Sequence, residues 1–127
     1  MTPNHALFRR LFSLSAVRLD TYDYVPDAQA NYPFVYIGEQ GATEASNNDL
    51  FGTVRQTVHI YGLRTDRANI DDISAYIQSE ARRIKDGYDY HLSYETVTKQ
   101  LIPDNTDVQP LLHVVLDFSF TFTKKGD

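Results

Sequence analysis

Cysteine is absent from this chain of 127 residues, and so is tryptophan. Without cysteine there is no disulfide framework, no thiolate metal site and no thiol nucleophile, a usage that suits a reducing compartment. Basic residues are in deficit: 12 Lys and Arg against 17 Asp and Glu leave a net charge of −5. Gripping a phosphate backbone depends on clustered Lys and Arg, so the chain is a poor candidate for a protein that wraps nucleic acid, although its charge does not forbid lying beside DNA. Long apolar runs are missing too, and nothing approaches the roughly 20 residues of a membrane helix. Met1 to Asp20 scatters Arg9, Arg10 and Arg18 among Leu and Phe, unlike the basic–apolar–cleavage order of a signal peptide. The expectation is a soluble protein made inside the cell, with no membrane partner.

What is present is an ordinary globular composition, 42% hydrophobic and 23% charged, with 9 Tyr and 7 Phe. That length encloses one core, so residues 1–127 are read as a single domain. From Asn4 to Leu19, Leu7, Leu11 and Leu14 recur at helical spacing, with Thr2 as a cap and Pro3 in the first turn. Asn31 to Gly38 has the aromatic and β-branched richness of a strand, with Pro33 at its first residue. Glu39 to Phe51 has no period and reads as a long mobile loop. Thr53 to Gly62 alternates, with Val54, Val58 and Ile60 on one side, Arg55, Thr57, His59 and Tyr61 on the other, and Gln56 as the polar exception on the apolar side.

A second helix is expected from Asn69, as its cap, to Lys85, with Ile70, Ile73, Ile77, Ala81 and Ile84 in one stripe and Gly87 as its stop. Asp71 and Asp72 lie near its positive end, Arg82, Arg83 and Lys85 near its negative end. Tyr88 to Ile102 is strand-like but changes phase after Tyr94, which predicts a bulge or two short strands. The strongest pattern is Leu111 to Thr123, where Leu112, Val114, Leu116, Phe118, Phe120 and Phe122 share one face. Only the two helices are available to cover that face. The fold class follows: α+β, a mostly antiparallel sheet of about four strands with two helices on one face.

Chemistry is hard to find. His5, His59, His91 and His113 form no metal-ligand spacing, and no nucleophile elbow, phosphate loop or dinucleotide fingerprint occurs. Asp71 with Asp72 reads as helix-start electrostatics, and Asp86 with Asp89, flanking Gly87, as a helix exit. No catalytic, metal or cofactor-binding residue is assigned, and the chain is expected not to be an enzyme. Arg55, His59 and His113 share the polar side of the sheet and are the candidate polar-face interface.

Tyr32-Pro33-Phe34-Val35-Tyr36-Ile37-Gly38-Glu39 resembles the signature of the tail-completion proteins of long-tailed bacteriophages, also called tail terminators or tail-to-head joining proteins. The surroundings are similar in order: a first helix, Tyr22-Asp23-Tyr24-Val25-Pro26, the strand Gln56-Thr57-Val58-His59-Ile60-Tyr61, an amphipathic helix, and a proline-led last strand from Gln109-Pro110. The resemblance implies a structural virion protein forming a ring, commonly of six copies, at the top of the tail. The ring ends the tail tube, joins it to the head connector and lets DNA pass without specific binding. Its partners would be other copies of itself, the tail tube protein and the head-connector or head-closure protein, first in the host cytoplasm and then in the virion neck. No cofactor is implied. Glu39, Glu44 and Asp49 are the candidate channel or interface residues. A head-side closure protein of the neck and a small monomeric ligand- or peptide-binding module are the alternatives.

Overall fold

The computed structural model describes residues 1–27, 31–44, 50–105 and 107–126, Glu44 by its backbone alone. Helix α1 spans Pro3–Ala16, and the Thr2 side chain accepts the His5 amide at 3.1 Å, the expected cap. Helix α2, Arg67–Arg82, begins two residues before Asn69 because a single 3-10 turn at Arg64–Asp66 leads into it. Asn69 therefore caps nothing; its side-chain amide donates to Asp66 at 3.0 Å. Asp71 sits past the first turn and meets Lys99 at 2.9 Å instead of serving the helix start.

The strands are β1 (Thr21–Tyr22), β2 (Phe34–Glu44), β3 (Phe51–Leu63), β4 (Asp86–Gly87), β5 (Tyr90–Asp104) and β6 (Leu111–Lys124). They form one sheet in the order β1-β2-β3-β6-β5-β4. Among the described residues only the β1–β2 pair is parallel. The sheet thus has six strands, not about four. Of the four long strands, β3, β5 and β6 match the sequence pattern and β2 matches it as far as Gly38, whereas β1 and β4 have two residues each, too few to show an alternation.

The expected loop at Glu39 to Phe51 is also corrected. Strand β2 runs on to Glu44 and pairs with β3, Gln40 opposite Gln56 and Glu44 opposite Gly52. Gly41, Ala42 and Thr43 hide the pattern, since small residues give no apolar period even where the backbone is fully paired. Residues 45–49, including Asp49, lie outside the described residues.

The six inward residues of β6 are all at most 1% exposed, and their core includes Ala6, Leu7 and Leu11 of α1 and Ile70, Ile73, Ile77 and Ala81 of α2. The helices are tied together where the Tyr76 hydroxyl donates to the Leu14 carbonyl at 3.0 Å. The phase change in β5 is a bulge between Tyr94 and Thr96 within one strand. Gly87 does not stop α2, which ends at Arg82; it lies in β4, where a Cβ would fall 2.7 Å from Leu92 Cδ1 and 3.4 Å from Ala6 Cβ. Glycine is required there by close approach, not by a left-handed backbone, which falls to Tyr88 with φ 59°.

Candidate functional site

The site lies on the sheet face that the helices leave uncovered. Alternation along β2 sends Val35 and Ile37 into the core and Phe34 and Tyr36 outward; on β3 it sends His59 and Tyr61 outward, and on β6 His113. Register then decides who meets whom. Phe34 is opposite Tyr61, Tyr36 opposite His59, and Tyr61 opposite His113. The rings stack accordingly: Phe34 on Tyr61 at 5.1 Å between centroids, Tyr61 on His113 at 4.1 Å, and Tyr36 on His59 at 5.2 Å. Such cross-strand aromatic pairs are each worth about 0.5–1.5 kcal/mol beyond their buried area. Gly38 belongs to this array, because a Cβ there would sit 2.2 Å from the Tyr36 hydroxyl oxygen. The Tyr36 ring can lie across the strand only over a residue without a side chain.

Glu39 reaches the array through a bulge. Pairing shifts between Ile37 and Gln40, so Gln40 faces the inward residue Gln56 and Glu39 is turned toward the outer face. Its carboxylate meets His59 Nε2 at 2.9 and 3.0 Å, and His59 Nδ1 lies 2.7 Å from His113 Nε2. The order Glu39–His59–His113 makes a chain of proton-bearing groups. With His59 neutral and Nε2 donating to Glu39, His113 donates to Nδ1. With His59 protonated, Nδ1 donates and His113 must be neutral. A second extra proton has no place between nitrogens that close. The arrangement can hold or pass one proton but presents no nucleophile or metal cluster among the described residues.

Gln56, the polar exception on the apolar side, supports the bulge from below. It is 1% exposed, donates to the Glu39 carbonyl at 2.8 Å and accepts from the Gln40 side-chain amide. Gln56→Ala would remove both hydrogen bonds from the buried side of the bulge, an expected loss of about 0.5–1.5 kcal/mol for each that urea unfolding measures. Unchanged stability would show that the bulge does not depend on Gln56.

Burial, and then the neighbouring His59, hold the His113 imidazole below its ordinary range, against a smaller opposite pull from Asp104 and Glu39. The sign follows directly. Above the unfolded value of about 6.5 both states bind the same protons. As pH falls below it, the unfolded chain takes up a proton that folded His113 refuses, so stability is lost toward its lowered folded value. Melting temperature should fall between pH 7 and 5 in the native chain and fall less in His113→Gln. An equal fall in both would place the titration elsewhere. Asp107, whose carboxyl is lowered chiefly by the Tyr32 hydrogen bond, titrates beneath that window.

At the end of the same face is a cavity of about 390 Å³ lined by Tyr32, Phe34, Tyr61, Asp104 and Asp107, among others. The Tyr32 hydroxyl donates to Asp107 at 2.5 Å. Burial, then that hydrogen bond and the charges of Asp107 and Asp104, push the Tyr32 phenol up to about 12. Tyr61 is raised by burial first and by Asp104 and Glu39 next. Both phenols therefore stay neutral beside negative charge.

Of the sequence-derived candidates, Glu39, His59 and His113 come together. Arg55 shares the face but lies four residues along β3, opposite Gly41. Glu44 lies farther along β2, opposite Gly52, and Asp49 is outside the described residues. Sequence reading did not assign Tyr32, Phe34, Tyr36, Tyr61, Asp104 or Asp107 as site residues. The available signal was that β2 keeps its β-branched residues in one phase and its rings in the other.

No protein-family model matches this chain, and no curated protein matches it. Solved structures do. A chain from the virion of a native gene transfer agent particle superposes with a TM-score of 0.60 at 14% identity, over 98% of this chain and 96% of that one. A second solved chain gives 0.60 at 14% identity, over 97% and 94%. At that identity what is shared is the fold: this chain has, over nearly its whole length, the fold of a gene transfer agent virion chain.

Proposed function

We propose that this protein is a structural component of a tailed, phage-like particle, forming the ring that ends the tail tube and joins it to the head connector. The observation that carries this reading is the end-to-end match in fold to a gene transfer agent virion chain. The signature at Tyr32 to Glu39 adds to it, since its residues are those that build the ring array and the bulge. The net charge of −5 per chain suits a collar that DNA traverses without being held, about −30 (6 × −5) for six copies.

The mass of the purified chain, alone and mixed with tail tubes, tests the proposal. A ring, free or seated at one end of the tubes, is the expected result. A chain that stays monomeric in both settings would overturn it. The second reading, a monomeric ligand-binding module, is favoured by the 390 Å³ aromatic cavity and would then take its place.

A further inference from the structure

Both edges of the sheet are open over most of their length. At one edge β1 meets β2 only at Val35 and Tyr36, and at the other β4 meets β5 only at His91 and Tyr90. Among the described residues, no strand pairs with the outer side of β2 from Ile37 to Glu44 or of β5 from Ser93 to Pro103. Hydrogen bonds alternate along antiparallel strands, which tells what those edges present. The Lys124 amide donates to the Leu50 carbonyl at 2.7 Å and the Lys125 amide to the Asp89 carbonyl at 2.8 Å, so even residues of β6 bond to β3 and odd ones to β5. Carried across the registers, the backbone amides and carbonyls of Val97, Lys99 and Leu101 point away from β6, and those of Gln40 and Ala42 point away from β3. Asn4 of α1 touches the Gly41 carbonyl and the Gln40 side chain, and neither is an outward backbone group.

Proteins that stay single blunt such edges with charge, proline, short strands or a covering segment. The stretch Val97 to Ile102, between the bulge at Glu95 and Pro103, carries one charge, Lys99, whose ammonium is drawn aside to Asp71 at 2.9 Å. Thr96, Thr98, Gln100 and Ile102 on its outer face are exposed. A regular edge of this kind is a template for another strand.

The two open stretches match one another in level and in direction. Read across the sheet, Ile37, Val58, Leu116 and Lys99 form one row, and Thr43, Thr53, Thr121 and Ser93 another. Strand β1 occupies only the rows of Leu101 and Gln100, and β4 only those of His91 and Tyr90, so the rows from Lys99 to Ser93 are clear at both edges. The long strands β2, β3, β6 and β5 alternate in direction, so a β2 laid beside β5 continues the antiparallel order. A head-to-tail ring needs two different, complementary surfaces on one chain, and two unlike edges open at the same level supply them. We infer that β5 of one chain pairs antiparallel with β2 of a second copy, the edge of Val97 and Lys99 against that of Gln40 and Ala42, so that one sheet runs on from chain to chain. The inference rests on the ring proposed above and names the contact that closes it.

The absence of cysteine makes cross-linking a direct test. Thr43 of β2 and Ser93, Thr96 and Thr98 of β5 are exposed on the outer face. The full chain carries Thr43→Cys together with Ser93→Cys, Thr96→Cys or Thr98→Cys in turn, and is assembled with tail tubes and oxidised. At least one of the three pairs should give a ladder of covalent oligomers that ends at the ring number, since a disulfide forms only between closely facing Cβ atoms. Each cysteine alone should give no ladder. Dimers from a single β5 cysteine would mean that β5 pairs with β5 of a second copy, a two-fold contact that overturns the inference. Amide exchange reads the same contact in the native chain. Val97 and Lys99 should exchange freely in the free chain, beside protected Thr98 and Gln100, and slow by about tenfold or more on assembly. Rings that form without a cross-link in any pair, and with Val97 and Lys99 still exchanging freely, would overturn the edge contact and leave the ring standing. A wild-type chain that assembles neither alone nor on tubes would overturn the ring, and the edge contact with it.

Discussion

Ile77→Asp is expected to leave no folded protein. Ile77 is 1% exposed, central in the inward stripe of α2. Losing a large aliphatic side chain from such a place costs about 2–5 kcal/mol. The new carboxylate adds several more, since it must either stay ionised without a partner or be protonated far from its ordinary range. Against a total stability of roughly 5–15 kcal/mol, the sum removes most or all of the native population. Solubility and a circular dichroism melt check it. Asp72→Asn, on the exposed side of the same helix, should change stability by no more than about 0.5 kcal/mol. A soluble Ile77→Asp protein with the native melting curve would mean that α2 presents a different face to the sheet.

The second large effect is expected from Phe120→Ala. Phe120 is fully buried in β6, between Val54 of β3 and Tyr94 of β5, with the Tyr94 ring edge-on at 5.8 Å. Removing a core phenylalanine costs about 3–5 kcal/mol, and for a domain of this size that lowers the melting temperature by roughly 10–20 °C. Thr121→Ala, one residue along and facing out, is the matched control and should move it by only a degree or two, in line with about 0.5 kcal/mol or less at the surface. If both variants melt alike, the assignment of inward and outward phases in β6 is wrong.

The proposed ring makes its own demand on Phe120→Ala. That variant should lose assembly only through loss of folding, so its deficit should shrink when a stabilising osmolyte is added. A deficit that persists in fully folded Phe120→Ala protein would show that β6 acts on assembly directly.

Much of this protein was legible in its residues, wherever a periodic pattern ran long enough to repeat. The inward face of β6, the stripe of α2 and the Thr2 cap of α1 needed no structure, because local geometry at periods of 2 and 3.6 dictates which side chains share a face. The phase slip in β5 was equally local, a single extra residue at Glu95. Two-residue strands carry no period, and the Gly-Ala-Thr stretch of β2 carries no apolar signal, so β1, β4 and the far half of β2 were invisible. The outer site depended on more than pattern. Alternation put Tyr61 and His113 on the outer side of their strands, but only the antiparallel register of β3 with β6 stacks residues 52 apart at 4.1 Å. Only the bulge after Ile37 turns Glu39 toward His59. Register is a property of paired strands: slipping it by one residue would exchange the two faces, and the burial of a whole core determines it, not any one segment.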